Sequence, residues 1–161
     1  MSGAATGGLW IGVATAEQLK ALAGLDFLQG MIDGKLPRPP ISGLLGFQLV
    51  EVRKGFVAFA GTPGPQHYNP IGSVHGGYGA TLLDSCMGCA VHSSLEAGIG
   101  YTTLEFKINF VRGMTDKTGP IRAEGTLLSG GRRAATAEGR IIDSTGRLLA
   151  HGTTTCLVMP L

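Results

Sequence analysis

The sequence has few charged residues, and their signs nearly balance. Only 15% of its 161 residues are Asp, Glu, Lys or Arg, and 13 basic against 11 acidic side chains leave a net charge of +2. Since binding to a polyanion needs a concentrated positive surface, nucleic acid is not expected as a partner. The hydrophobic content of 43% in turn excludes the polar, highly charged composition of a disordered chain.

Cysteines and long apolar runs are also scarce. Three cysteines fit a reduced protein better than a disulfide framework, which favours the cytoplasm. No run approaches the ~18 consecutive apolar residues of a membrane span, so no membrane partner is expected. Residues 1–16 lack the positive charge that opens a signal peptide. The length suits one ordinary domain with a single core.

Glycines and prolines divide the N-terminal part of the chain. Residues 1–14 are rich in Gly, Ala and Thr without a clear period, and we expect a loose arm there. The capping-box spacing of Thr15 and Gln18 predicts a helix that ends at Gly30. The prolines that follow predict an extended loop over residues 37–46.

The rest of the chain shows a hairpin, a long helix and a meander. Residues 47–53 and 56–62 alternate partly around a Lys-Gly turn and predict a β-hairpin. Residues 76–96 contain no proline and are largely apolar, which predicts a long buried helix. Strands with a period of two are predicted over residues 101–110, 121–128, 133–142 and 148–158. This order predicts an α+β fold in which an antiparallel sheet packs on the helix.

Three motifs in fixed order resemble the hotdog-fold thioesterases. Asn69–Gly77 reads Asn-Pro-Ile-Gly-Ser-Val-His-Gly-Gly, Thr81–Asp84 reads Thr-Leu-Leu-Asp, and Thr102–Phe110 reads Thr-Thr-Leu-Glu-Phe-Lys-Ile-Asn-Phe. The combination is most similar to the PaaI-like and 4-hydroxybenzoyl-CoA thioesterase branch and covers about residues 43–159.

This resemblance implies an enzyme that hydrolyses the thioester of an aryl-, phenylacetyl- or medium-chain acyl-CoA, without metal or bound cofactor. It implies a hotdog domain over residues 41–161, with an antiparallel sheet wrapped around a long central helix. Residues 1–40 would form the arm and an extra N-terminal helix. Members of the family form homodimers or dimers of dimers, with sites at the subunit interface.

The resemblance also implies a catalytic site. Gly76 opens the long helix, where free N–H groups and the helix dipole can stabilise an oxyanion. By similarity its N–H polarises the thioester carbonyl, with His75 and Asn69 supporting the site. Asp84 would be the nucleophile or the general base, and the sequence leaves both routes open. The alternative is that Asp84 faces solvent, because burial of a carboxylate costs free energy unless the group is paired or has a function.

Thr102 matches the position where relatives carry a hydroxyl that holds the attacking water. Its place in the two-residue period puts it on the face that points toward Asp84, although a locally satisfied strand hydroxyl is an equal alternative. A related branch instead places a Thr one helical turn after the acid, and this chain has Gly88 there.

A distance argument predicts a shared site. Eight helical residues separate Gly76 and Asp84 by about 12 Å along the axis. Because an oxyanion donor and an attacking group must each lie about 3 Å from the reacting centre, the two residues would come from different subunits. A two-fold dimer would then contain two composite sites.

The phosphates of coenzyme A need cationic or backbone donors. The tight turn that contains Ser129, Arg132 and Arg133 offers both. Gly77 and Arg112 are further candidate contacts. Arginines at strand ends are more often solvated than liganded, which is the alternative for each of them.

Cys86, Cys89 and His92 are spaced like metal or redox ligands. A structural zinc site needs four ligands, and only Cys156 is left to complete one. A redox pair normally opens a helix, whereas this pair lies within one. The favoured interpretation is therefore small buried side chains, with no metal.

Two other functions stay open. The hotdog fold also hosts acyl-CoA hydratases and dehydratases that use a His and an acid, and His67 and His75 are compatible with this chemistry. A non-catalytic acyl-CoA binding module on the same scaffold is the second alternative, because fold does not determine function. The presence of Asp84 argues against such a module.

Overall fold

The computed structural model describes residues 10–161, which form four α-helices, six β-strands and two short 3₁₀ turns. The helices are α1 (Ala16–Ala21), α2 (Gly24–Ile32), α3 (Pro40–Leu45) and α4 (Gly76–His92). The strands are β1 (Phe47–Arg53), β2 (Phe56–Gly61), β3 (Ile99–Phe110), β4 (Ile121–Gly130), β5 (Ala134–Asp143) and β6 (Leu148–Pro160).

The six strands form one antiparallel sheet in the order β1-β2-β4-β5-β6-β3. β1 and β3 are therefore its two edges. The long helix α4 lies along one face and contacts five strands, from β2 to β6. This arrangement confirms the predicted α+β fold, and the predicted hairpin and all four strands of the meander are present.

Glycines on the inner face let the sheet approach α4 closely. A Cβ on Gly125 would overlap the backbone carbonyl of Cys86, and one on Gly139 would lie 2.7 Å from Met87 Cγ. Each fully buried large side chain contributes roughly 1.5–3 kcal/mol to stability. The α4 side chains that fill this contact are fully buried: Leu82, Leu83, Cys86, Met87 and Val91.

The N-terminal helix differs from its prediction. The capping box at Thr15 is present, but the chain forms two helices, α1 and α2, with Leu22 and Ala23 extended between them. The break has a tertiary cause. Gly24 packs directly on the His92 carbonyl at the end of α4, where a Cβ would overlap it, and the Gly24 N–H donates to the Leu95 carbonyl oxygen at 2.9 Å.

The segment before α1 is partly ordered by a short bridge. Residues 1–9 of the predicted arm lie outside the described residues. Gly12 N–H donates to the Arg38 carbonyl, and Arg38 N–H donates to the Trp10 carbonyl, both at 2.9 Å. Because these two hydrogen bonds hold it, the part of the arm next to α1 is not loose.

The predicted loop over residues 37–46 is wrong for its second half. Residues 40–45 form α3, whose first helical residue is Pro40 and whose C-terminal cap is Gly46 with φ of 68°. Proline is favoured at the first helical position because its N–H would be unpaired anyway, and glycine adopts the left-handed conformation without a steric penalty. The local signals for a short helix were therefore present in the sequence.

α4 ends four residues before the predicted Glu96. The hydroxyls of Ser93 and Ser94 donate to the carbonyls of Ala90 and Val91, each at 2.7 Å, and so compete with further helical bonds. Within residues 10–161, none of the helices has the length and apolarity needed to cross a bilayer.

Candidate active site

The N-terminus of α4 presents an unpaired amide. The His75 side chain caps the helix, because its Nδ1 accepts from the Gly77 N–H at 2.8 Å, and the Tyr78 N–H donates to the His75 carbonyl at 3.0 Å. The Gly76 N–H has no acceptor in the part of the chain that the structure describes. The Gly76 N–H is thus a donor at the positive end of the helix dipole that no described residue occupies.

Phe110, the last residue of β3, covers Gly76 on one side. A Cβ on Gly76 would lie 3.2 Å from the Phe110 ring. Because glycine has no Cβ, a narrow space stays open between Gly76 and this ring. A cleft of about 250 Å³ begins here, and Arg112 and Met114 also line it. Arg112 is exposed at the rim of the cleft. Of the arginines considered as phosphate ligands, it is therefore the one that lies at this end of α4.

Asn69 organises the loop that leads into α4. Its Oδ1 accepts from the N–H groups of Ile71 and Ser73, at 3.1 and 3.2 Å, and its Nδ2 donates to the Ser73 hydroxyl at 3.0 Å. All these hydrogen bonds stay within the loop. Asn69 therefore stabilises the turn that precedes His75.

His67, one of the two histidines that kept the hydratase alternative open, lies in the core beneath the same loop. Its ring is 7% exposed and stacks on Tyr78 with 4.2 Å between the ring centroids. Its Nδ1 accepts from the Gly64 N–H, and its backbone carbonyl accepts from the His75 N–H at 2.7 Å. Burial raises the pKa of Tyr78 to about 12. These contacts make the His67–Tyr78 pair a support for the loop.

Asp84 lies half-buried in the middle of α4, facing β3. The Thr103 hydroxyl donates to Asp84 Oδ1 at 2.9 Å. A carboxylate this close to the core is thus paired, which disfavours the alternative of a merely solvent-facing residue. Along α4 it stands eight residues from Gly76, or about 12 Å, and so the two groups do not meet within one chain.

The neighbours of Asp84 are uncharged. Burial raises the pKa of the Cys89 thiol to about 12, and it also raises the pKa values of the Cys156 thiol and the Tyr101 phenol. These groups stay protonated near neutral pH, so they add no charge beside Asp84.

Thr102 does not point toward Asp84, and that part of the prediction is wrong. The register between β3 and β6 shifts between Thr103 and Glu105, so that Leu104 has no cross-strand partner. This bulge inverts the two-residue period. Phe110, beyond it, faces α4 as predicted, whereas before it the inward residue is Thr103 and Thr102 is exposed.

The turn between β4 and β5 lies at the other end of the molecule. Ser129, Arg132 and Arg133 are exposed there, and Arg132 lines a cavity of about 630 Å³ together with Leu95 and Ile99 beyond the C-terminus of α4. The 17 residues of α4 separate this end from Gly76 by about 25 Å. One chain therefore does not bring these arginines and Gly76 together.

The cysteines of the Cys-x-x-Cys pair lie inside the protein. Cys86 is fully buried against the sheet, where its thiol donates to the Leu83 carbonyl at 3.4 Å, and Cys89 faces Tyr101. Within residues 10–161, no group of three or more His, Cys, Asp or Glu side chains is arranged to hold a metal ion.

Comparison with known proteins gives a family and several related structures. Residues 71–150 match the Thioesterase superfamily. A conserved protein of Pseudomonas aeruginosa is 30% identical, with a TM-score of 0.70, over 74% of this chain and 94% of that one. A phenylacetic acid degradation-related protein of Ralstonia eutropha is 28% identical, with a TM-score of 0.73, over 81% and 98%. A Streptococcus mutans protein bound to acetyl CoA is 25% identical, with a TM-score of 0.65, over 71% and 90%. No curated protein matches the chain.

Proposed function

Because this chain belongs to the Thioesterase superfamily, in its PaaI-like hotdog-fold branch, and is a thioester hydrolase, we propose that it hydrolyses an aryl-, phenylacetyl- or medium-chain acyl-CoA. The observation that carries the proposal is the free Gly76 N–H at the start of α4, beside an open cleft. It offers a fixed donor at the place where a thioester carbonyl would become an oxyanion. The acetyl CoA bound to the Streptococcus mutans relative supports a CoA thioester as the substrate class.

Asp84 supplies the second half of the chemistry. As a general base its carboxylate takes a proton from water while the water oxygen attacks the carbonyl carbon. As a nucleophile it attacks that carbon itself and forms an anhydride, which water then hydrolyses. In both routes the C–S bond breaks, the CoA thiolate leaves and takes up a proton, and the products are a free acid and CoA.

A second copy of the chain completes the site. β3 is an edge strand, and no strand among the described residues pairs with its outer edge. It exposes Leu104, Phe106 and Phe110 to the extents of 59%, 42% and 54%. Exposed apolar residues on a long edge strand favour pairing with another strand. Antiparallel pairing of two β3 strands continues the sheet and relates the copies by a two-fold axis.

The composite site selects the register of this pairing. Within one chain Phe110 lies against Gly76, and Thr103 lies against Asp84. If Phe110 of one protomer is opposite the partner's Thr103, Gly76 of the first chain faces the partner's Asp84 across the interface. The same pairing brings the Ile99 end of β3 near the partner's Arg112, beside the partner's cleft. Since Arg132 lies close to Ile99, Arg132 and Arg133 then serve the partner's site as phosphate contacts. A dimer of dimers would leave this unit unchanged.

The test is release of free thiol from a panel of aryl-, phenylacetyl- and straight-chain acyl-CoAs, run with the wild type and Asp84→Asn. We expect turnover that falls by ~10²-fold or more in the variant, with the dimer intact by sedimentation. Binding without turnover in the wild type would instead support an acyl-CoA binding module. Water addition to an enoyl-CoA, without thiol release, would support a hydratase, and equal turnover in both proteins would remove Asp84 from the mechanism.

A further inference from the structure

His67 and Tyr78 form a buried polar pair behind the loop that leads into α4. His67 is 7% exposed and Tyr78 is 4% exposed. Neither His67 Nε2 nor the Tyr78 hydroxyl has a hydrogen-bond partner among residues 10–161. We propose that these two atoms hold one buried water molecule and that the pair positions the Gly76 N–H for catalysis. The positioning role rests on the proposed function, whereas the water site does not.

The two unpaired atoms suit a bridging water molecule, since polar atoms in a protein core are almost always paired directly or through ordered water. His67 Nδ1 accepts from the Gly64 N–H at 3.0 Å, so the ring proton is on Nε2, which is therefore a donor. The His67 and Tyr78 ring centroids are 4.2 Å apart. A ring nitrogen lies about 1 Å, and a phenol oxygen about 3 Å, from the centroid of its own ring. The two atoms are therefore roughly 4–6 Å apart, a span that one water molecule bridges with two hydrogen bonds of about 2.8 Å.

The hydroxyl end of Tyr78 lies in a space that a glycine keeps open. A Cβ on Gly61, the last residue of β2, would lie 2.6 Å from the Tyr78 hydroxyl oxygen. The carbonyl oxygen of Gly46 lies 3.4 Å from the same Cβ position and is the candidate third partner of the water. Buried waters in proteins typically make about three hydrogen bonds. The position beside Gly61 thus offers the donors and acceptors that such a water needs.

The same pair closes a triangle of contacts around the first turn of α4. The His67 carbonyl accepts from the His75 N–H at 2.7 Å, and the His75 carbonyl accepts from the Tyr78 N–H at 3.0 Å. The stacked rings of His67 and Tyr78 form the third side. The His75 carbonyl and the Gly76 N–H belong to one planar peptide group, so contacts that hold the carbonyl also fix the direction of the N–H. A donor with a fixed direction is what a developing oxyanion requires.

Tyr78→Phe deletes one hydroxyl and keeps the stacked ring. We expect kcat to fall about 10-fold with KM nearly unchanged, because a buried hydrogen bond is lost and an oxyanion donor acts in the transition state. His67→Asn keeps an acceptor for the Gly64 N–H but removes Nε2, and its loss should be at least as large. The double variant should be no slower than His67→Asn alone, and a further loss of about 10-fold would overturn the pair. The control is Tyr68→Phe, whose hydroxyl bonds to the exposed Asp116 and whose kcat should change less than about two-fold.

A second test asks whether the pair acts through Gly76. Gly76→Pro removes the N–H, and proline is tolerated at the first helical position. If the pair serves only to direct this N–H, adding Tyr78→Phe to Gly76→Pro should cause no further loss of kcat. A further loss of about 10-fold in this background would show that the pair acts elsewhere and would overturn the positioning role. Because no substitution at His67 is needed, the test holds even if His67→Asn does not fold.

A measurement without turnover tests the water itself. In protein labelled with ¹⁵N in histidine, the His67 signals are assigned by their loss in His67→Asn. We expect a protonated Nε2 that shows cross-relaxation with a long-lived water molecule, and this signal should be lost in Tyr78→Phe, which removes a partner of the water. A His67 Nε2 proton without a water contact would overturn the water site. A water contact in a protein that hydrolyses no acyl-CoA would support the water site and refute the proposed function.

Discussion

Subunit mixing tests whether each site draws on two chains. One variant, Gly76→Pro, removes the amide donor. Proline is tolerated at the first helical position, and the extended backbone of His75, with φ of −61° and ψ of 136°, suits a residue before proline. The other variant is Asp84→Asn. Each pure dimer should retain about 1% of wild-type activity or less, since an oxyanion donor contributes ~10²–10³-fold and a general base ~10²–10⁴-fold.

The composite geometry fixes the result of mixing. In a mixed dimer, the site that combines Gly76 of one chain with Asp84 of the other is intact, and the second site carries both substitutions. Random exchange makes about half of the dimers mixed, each with one intact site of two, so a one-to-one mixture should regain about one quarter of wild-type activity. If both residues served one site within a chain, mixing would restore nothing.

The assay is thiol release after the two variants are co-refolded or co-expressed with different affinity tags. Gly76→Ala is the matched control, because it keeps the N–H and places the same Cβ 3.2 Å from the Phe110 ring. Loss of activity in Gly76→Ala as severe as in Gly76→Pro would assign the defect to crowding. Activity of the mixture at the level of the pure variants, with mixed dimers isolated by both tags, would refute the composite site.

Three further predictions concern stability and substrate binding. Gly125→Ala should destabilise the fold by about 1–3 kcal/mol in thermal unfolding, because its Cβ overlaps the α4 backbone, whereas Gly113→Ala has open space and should not. Asp143→Asn should lower Tm more at pH 7 than near pH 2. Hydrogen bonds, first from Thr145, hold the pKa of Asp143 below its usual 3.8, so its contribution is present above that value and lost as pH falls toward the folded-state value. Arg112→Ala should raise KM about 10-fold for an acyl-CoA but not for the same acyl group on pantetheine, which lacks the nucleotide phosphates.

Local signals predicted most of the sheet and the start of α4. The turn glycine between β1 and β2, the uninterrupted apolar run after His75 and the two-residue period over residues 101–110 are all properties of neighbouring residues. The hairpin, the helix and the strand that they predict are all present. The split between α1 and α2 had no such signal. It exists because Gly24 docks on the end of α4, which is 68 residues away in the sequence. Such a long-range contact does not change the helical spacing of apolar residues in the sequence around it.

The error at Thr102 has a similar origin. A period of two is reliable only while every residue of a strand has a cross-strand partner, and the bulge at Leu104 breaks that condition through its pairing with β6. The sequence offers two adjacent threonines, so the residue type was predicted correctly and its position was displaced by one. The composition of β3 alone could not decide which hydroxyl faces Asp84.

The surroundings of Gly88 explain why the hydroxyl beside Asp84 comes from β3 and not from α4. A Cβ at this position would lie 2.8 Å from Cε2 of the Tyr101 ring, so the space one turn after Asp84 is already filled by a side chain from β3. A threonine there would collide with the tyrosine. Since Tyr101 and Thr103 lie on the same face of β3 before the bulge, the strand that occupies the space also supplies the donor to Asp84. Gly88, Tyr101 and Thr103 therefore depend on one another. A larger residue at position 88 of the helix would also require a change on β3.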